Sequence, residues 1–126
     1  MRKYHDYRKW EDYKAGMFKP SKNVPQDIIN AVKLLSDADE LEAAMRRAVK
    51  EYPLAAEQNL SAADTNRRSW LGQSACFIAY GVVESDTRSA WWALTDSMRD
   101  RANAAADRVI ADWESVNTDA ETLFDL

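Results

Sequence analysis

Apolar side chains return every three or four residues through most of this chain, and that recurrence decides what it can fold into. Such spacing lines residues along one face of a helix. A strand needs alternation, and no run alternates for long enough. Turn formers are scarce, with three glycines and three prolines among 126 residues. Alanine, Leu, Glu, Arg and Lys, all good helix formers, are plentiful. The chain is therefore expected to be all-α, one domain over 1–126, folded as a four- to five-helix bundle with a long C-terminal helix. A chain of this length can bury roughly two-thirds of its unfolded surface, which is enough for a core.

The periodicity divides into segments. Tyr4, Tyr7, Trp10, Tyr13 and Met17 fall on one face of a first helix over about 4–15, with Gly16 and Pro20 as its stop. A second helix should open near Pro25, since proline suits a first turn whose N–H groups have no partner; Ile28, Ile29, Val32 and Leu35 are its inner stripe. Asp37 with Glu40 reads as a reciprocal capping pair for a third helix, cored by Leu41, Met45, Ala48, Val49 and Tyr52 and ended or kinked by Pro53. Ser61 with Asp64 resembles another capping box. It precedes a helix over about 62–80 whose aromatics flank the small residues Gly72, Ser74, Ala75, Cys76 and Ala79, a pattern that predicts a central buried helix closed by Gly81. Ser85 or Asp86 should cap the last and longest helix, about 87–115. Trp91, Leu94, Met98, Ala102, Ala105, Val109, Trp113 and Val116 form its stripe, and the polar face bearing Asp96, Arg99, Asp100, Arg101, Asp107 and Arg108 should form i,i+4 pairs. Residues 117–126 read as an acidic tail, docked or free.

Charge is distributed unevenly. The net charge is −4, yet residues 1–22 hold seven Lys or Arg against three acids, whereas residues 112–126 hold five acids and no base. Asymmetry of this kind can mark interaction ends. The single cysteine cannot form an internal disulfide. No apolar run follows the opening Met-Arg-Lys, and none approaches the ~20 residues that span a bilayer. These features predict a cytoplasmic protein with no membrane partner.

Residues that could carry chemistry are few. Cys76 would need a nearby base to act as a nucleophile, but the only histidine is His5 and the neighbours of Cys76 are apolar, so it reads as core. One His and one Cys cannot make a usual zinc site, and no phosphate-cradling glycine motif occurs. The carboxylate pairs Glu11–Asp12 and Asp37–Asp39 read as caps or solvated faces. No catalytic, cofactor or metal site is expected. What remains is surface. The N-terminal stretch interleaves Tyr4, Tyr7 and Trp10 with cations including Lys14, a combination that suits either docking on the core or stacking on nucleic-acid bases. Trp91 and Trp92 are adjacent and cannot share a face; Trp91 fits the core stripe, so Trp92 should point elsewhere, as an interface anchor or beneath the first helix. Leu123 and Phe124 in the terminal Leu-Phe-Asp-Leu could dock in a partner's groove or pack back on the bundle.

The strings Trp10-Glu11-Asp12-Tyr13-Lys14-Ala15-Gly16-Met17 and Trp70-Leu71-Gly72-Gln73-Ser74-Ala75-Cys76 carry a resemblance. With Thr87-Arg88, Ala90-Trp91, Ala102-Asn103, Asp107, Ile110 and Trp113-Glu114, they resemble small uncharacterised proteins of phages, prophages and mobile elements. That resemblance implies an accessory role such as binding and inhibiting a host or defence protein. The expectation is a non-enzymatic domain that binds a protein of unknown identity, with a homodimer also open. Nucleic-acid binding through the basic, aromatic N-terminus and an enzyme with an unrecognised carboxylate site are the alternatives. The candidate contact residues are Tyr4, Tyr7, Trp10, Lys14, Trp92, Leu123 and Phe124.

Overall fold

The computed structural model describes residues 25–61 and 64–124, with side chains over 25–61 and 66–116. Six helices and no strand occur among the described residues: α1 Gln26–Leu35, α2 Ala38–Glu51, α3 Pro53–Leu60, α4 Asp64–Tyr80, α5 Glu84–Ala93 and α6 Asp96–Phe124. The all-α expectation holds. The first predicted helix, about 4–15, lies outside the described residues.

Local chemistry sets most of the boundaries. Pro25 precedes α1 in an extended conformation, and its carbonyl accepts from the Ile28 and Ile29 N–H groups. Asp37 caps α2 by accepting from the Glu40 N–H at 3.2 Å. The Asp37 N–H is spent on the Leu34 carbonyl, so only half of the expected reciprocal box forms. Pro53 does more than end α2. It opens α3 at the first helical position, for the same reason that Pro25 precedes α1, and this helix was not anticipated. The Ser61 hydroxyl donates back to the Glu57 carbonyl and so closes α3. Gly81 closes α4 at φ +69°, a left-handed conformation that costs glycine little, while its N–H bonds the Phe77 carbonyl at 2.7 Å.

The expected unbroken rod over 87–115 is corrected. α5 begins at Glu84, earlier than Ser85 or Asp86 would cap it, and neither it nor α1 has a side-chain cap. Leu94 then turns to an extended ψ of 155°. Thr95 starts a new helix by accepting from the Met98 N–H at 3.2 Å. Past residue 115 the backbone stays helical to Phe124, with nothing in the sequence to break it.

The core is shared by all six helices. Ile28, Val32, Leu41, Met45, Leu60, Leu71, Ala75, Cys76, Ala90, Ala105 and Val109 are all buried. α2 packs along α4 and α6, and α1 packs along α5 and α4. The Met98, Ala102, Ala105 and Val109 stripe faces inward as its spacing dictates, while Val116 and Tyr52, both placed on inner stripes by periodicity, are exposed. α4 is less buried than its composition suggested: Leu71, Ala75 and Cys76 face inward, but Phe77 and Tyr80 are about half exposed. Gly72 is not demanded by close approach either. A Cβ there would sit 3.9 Å from Leu35 Cδ2, an ordinary contact.

Ion pairs stitch the surface of α6 to its neighbours. Glu42 on α2 accepts from Arg108 at 2.5 Å and Arg46 at 2.9 Å, and Arg46 reaches Asp112 at 2.6 Å. Arg68 on α4 grips Asp107 with two bonds of 2.9 and 2.7 Å, and Arg67 meets Glu114 at 2.6 Å. Asp107 and Arg108 thus bridge helices instead of pairing i,i+4 along their own. The Asp107 carboxyl is held below its ordinary range by the Arg68 hydrogen bonds, and that of Glu42 by Arg108 and then Arg46.

Candidate interaction surface

The last turn of α5 builds the site. Ala90 and Ala93 turn their methyl groups into the core, and Trp91 packs against that core while half buried. A helix turns ~100° per residue, so Trp92 is carried outward and stands 64% exposed. An indole this open on a short helix would be free to swing. It is restrained by a cation from the next helix. Arg99 Nε donates to the Trp91 carbonyl at 3.0 Å, Nη2 donates to the Trp92 carbonyl at 3.1 Å, and Nη1 meets Asp96 at 3.3 Å. The guanidinium carbon lies 5.2 Å from the centroid of the Trp92 ring. One side chain therefore bonds two carbonyls at a helix end, of which that of Trp91 also accepts from the Leu94 N–H, places a positive charge at the negative end of the helix dipole, and stacks on the exposed indole.

Beside this ring lies a groove of about 540 Å³. Gly72 and Gln73 of α4, Trp91 and Trp92 of α5, and Ala102 and Asn103 of α6 line its sides; Leu35, Leu41 and Met45 close it below. Its size falls within the range of sites that take a side-chain cluster or a small molecule. The rim is polar, with Ser69, Arg68 and Arg88; Arg88 is paired to Glu84 and Arg68 to Asp107.

The remaining sequence candidates separate clearly. Tyr4, Tyr7, Trp10 and Lys14 lie outside the described residues, as do His5, Glu11 and Asp12. Leu123 and Phe124 sit in the final turn of α6, and their side chains are outside the description. Cys76 is fully buried, and burial pushes its thiol up to about 12, only partly offset by the neighbouring Thr87 hydroxyl. A thiol held neutral in this way is no nucleophile at physiological pH. Asp37 is a helix cap and Asp39 is exposed. Among the described residues, the Glu42 and Asp107 carboxyls are held in the charged form by their arginine partners. A general acid needs the opposite shift.

Two parts of this surface escaped the sequence reading. Helical spacing puts Arg99 on the charged face of an unbroken helix, which hides its fold-back onto α5. The signal was present in Thr95-Asp96, a cap residue followed by a first-turn acid. Gln73 and Asn103, the amides at the groove, carry no signal in sequence, because nothing local relates α4 to α6. Comparison with protein-family models, with curated proteins and with solved structures gave no match to the chain.

Proposed function

We propose that this chain is a non-enzymatic, protein-binding helical domain acting in the cytoplasm, with the bundle and its long C-terminal helix as scaffold. Its role in this reading is that of an accessory protein of a phage or other mobile element that binds, and inhibits, a host or defence protein. The observation that carries the binding reading is Trp92: a large, exposed indole, clamped by Arg99 and set on the rim of an open groove. A restrained aromatic loses little freedom when a partner covers it, and tryptophan is enriched among residues that dominate interface energies. The mobile-element part rests on the resemblance of the Trp10–Met17 and Trp70–Cys76 strings.

The test is capture from a host lysate with three proteins in parallel: wild type, Trp92→Ala and Phe77→Ala. Phe77 is also exposed but lies away from the groove lining. A protein retained by wild type and by Phe77→Ala but lost with Trp92→Ala is the expected result. Equal retention by all three removes Trp92 from the interface. A salt titration separates the other reading: binding led by phosphates weakens steeply with salt and is abolished by Lys9→Glu with Lys14→Glu. Sedimentation at two concentrations separates self-association on the same face from a foreign partner.

A further inference from the structure

The groove beside Trp92 combines an apolar floor with a basic edge. Leu35, Leu41 and Met45 form the floor, and the Trp91 and Trp92 indoles stand at one side. Among the described residues that line it, two are cations, Arg68 and Arg88, and none is an acid. The two cations differ in how firmly they are held. Asp107 grips Arg68 through two bonds. Arg88 gives only Nη2 to Glu84, its i,i+4 neighbour, and its side chain is 62% exposed. Exposed pairs of that kind contribute little, so Arg88 is the cation that an incoming anion can share. Two more polar groups stand at the groove without a partner. The Asn103 amide and the Trp91 indole N–H make no hydrogen bond among the described residues, although both residues are half-buried in the lining. Polar groups withdrawn from water normally find one. The amide can donate and accept, and the indole can donate. The backbone offers nothing comparable. The walls are helices whose N–H and C=O groups are bonded within them, so an extended peptide would find no main-chain partner there.

We propose that the groove is a binding site for a small amphiphilic anion, a flat aromatic body bearing one carboxylate. The ring lies on the floor of Leu35, Leu41 and Met45 beside Trp91, Arg88 holds the carboxylate, and the Asn103 amide bonds the polar edge. A volume of about 540 Å³ has room for a bicyclic ring. The site goes beyond the protein-binding reading and does not depend on it, so its failure leaves the lysate capture unaffected.

The test titrates naphthoate, its neutral alcohol and its ammonium counterpart into the isotope-labelled full-length chain and follows proton–nitrogen correlation spectra. Three results together support the proposal. Naphthoate causes saturable shifts of the Trp91 and Trp92 indole, Asn103 side-chain and Gly72 backbone signals. The alcohol binds about fivefold more weakly, the factor expected for one exposed ion pair, and the ammonium more weakly still. Arg88→Gln lowers the affinity for naphthoate to that of the alcohol and leaves the alcohol unchanged. Absence of saturable shifts overturns the proposal, as do shifts centred on Phe77 and Tyr80, which are exposed aromatics outside the groove lining. Equal affinity for the three compounds, or no effect of Arg88→Gln, also overturns it. So does tighter binding of the end-blocked tripeptide Asp-Phe-Asp than of naphthoate, because the groove then takes the side chain of a protein partner. If Arg88→Gln disturbs the fold by far-UV circular dichroism, the series of three compounds on the wild type decides alone.

Discussion

Replacing Arg99 with alanine removes several interactions at once, and the main ones each have a size. Two hydrogen bonds run from a charged donor to the Trp91 and Trp92 carbonyls at 3.0 and 3.1 Å. Charged hydrogen bonds contribute about 1.5–3 kcal/mol when shielded from water, but the Arg99 side chain is 23% exposed and water can replace it at a helix end, so about 0.5 kcal/mol each is the better figure. A cation at a helix C-terminus adds about 0.3–1 kcal/mol, and the stack on an exposed indole about 0.5 kcal/mol. These overlap, since one guanidinium provides all of them, and the expected loss is about 1.5–2 kcal/mol. For a domain of this size that lowers Tm by about 6 °C. Denaturant melts followed by far-UV circular dichroism provide the free energy. Arg99→Lys should fall between, because an ammonium keeps the charge but cannot fork onto two carbonyls. A cycle with Trp92→Ala should show a coupling of about 0.5 kcal/mol. If Arg99→Ala unfolds within about 0.3 kcal/mol of wild type, the clamp is not holding the α5 terminus, and Arg99 does not restrain the Trp92 indole.

Four further outcomes follow from the same structure. Leu71 is fully buried, so Leu71→Ala should cost about 3 kcal/mol by denaturant titration; a cost under about 1 kcal/mol would place it outside the core. Gly81→Ala should cost about 1 kcal/mol, wholly from backbone strain at φ +69°, because nothing lies within 4 Å of the added Cβ. Cys76 should not react with a disulfide reagent at mildly alkaline pH until denaturant unfolds the chain; prompt reaction in the native state would contradict its burial. The pH dependence has a definite sign. Glu42 and Asp107 both have lowered proton affinity when folded, so their contribution is full above the ordinary carboxylate range and is lost as pH falls below that range through their lowered folded values. Melting temperature should drop between about pH 5 and about pH 3 in wild type, and drop less when Glu42→Gln and Asp107→Asn are combined. An unchanged drop would assign the acid sensitivity elsewhere.

Sequence pattern is most legible where one local cause suffices. Asp37 before Ala38, Pro25 before Gln26 and Gly81 after Tyr80 each act within one turn, and those boundaries were readable. The α3 helix was readable in principle too, since Pro53 opens it as Pro25 precedes α1, but a proline inside an apolar pattern reads first as a stop. The break at Leu94–Thr95 was harder. Trp91, Leu94 and Met98 keep helical spacing straight through it, because both helices bury against the same core, and only the Thr95 hydroxyl and the Arg99 fork mark the change. Exposure of Phe77 and Tyr80 was not legible because α4 has apolar residues around its whole circumference, and which of them face inward depends on where α2 and α6 lie. The direction of Trp92 followed from simple helix geometry. The groove beside it did not, since its walls come from positions as far apart as Leu35 and Ala106.

Trp92, held by Arg99, is the proposed centre of a protein-binding face. The most direct measurement is a binding isotherm between the purified captured partner and three forms of this chain at fixed salt. Trp92→Ala should weaken binding by about 30-fold, the factor expected for loss of about 2 kcal/mol at an interface anchor. Arg99→Ala, which leaves the indole in place but unclamped, should fall between Trp92→Ala and wild type. Affinity for Trp92→Ala within about twofold of wild type would contradict the claim.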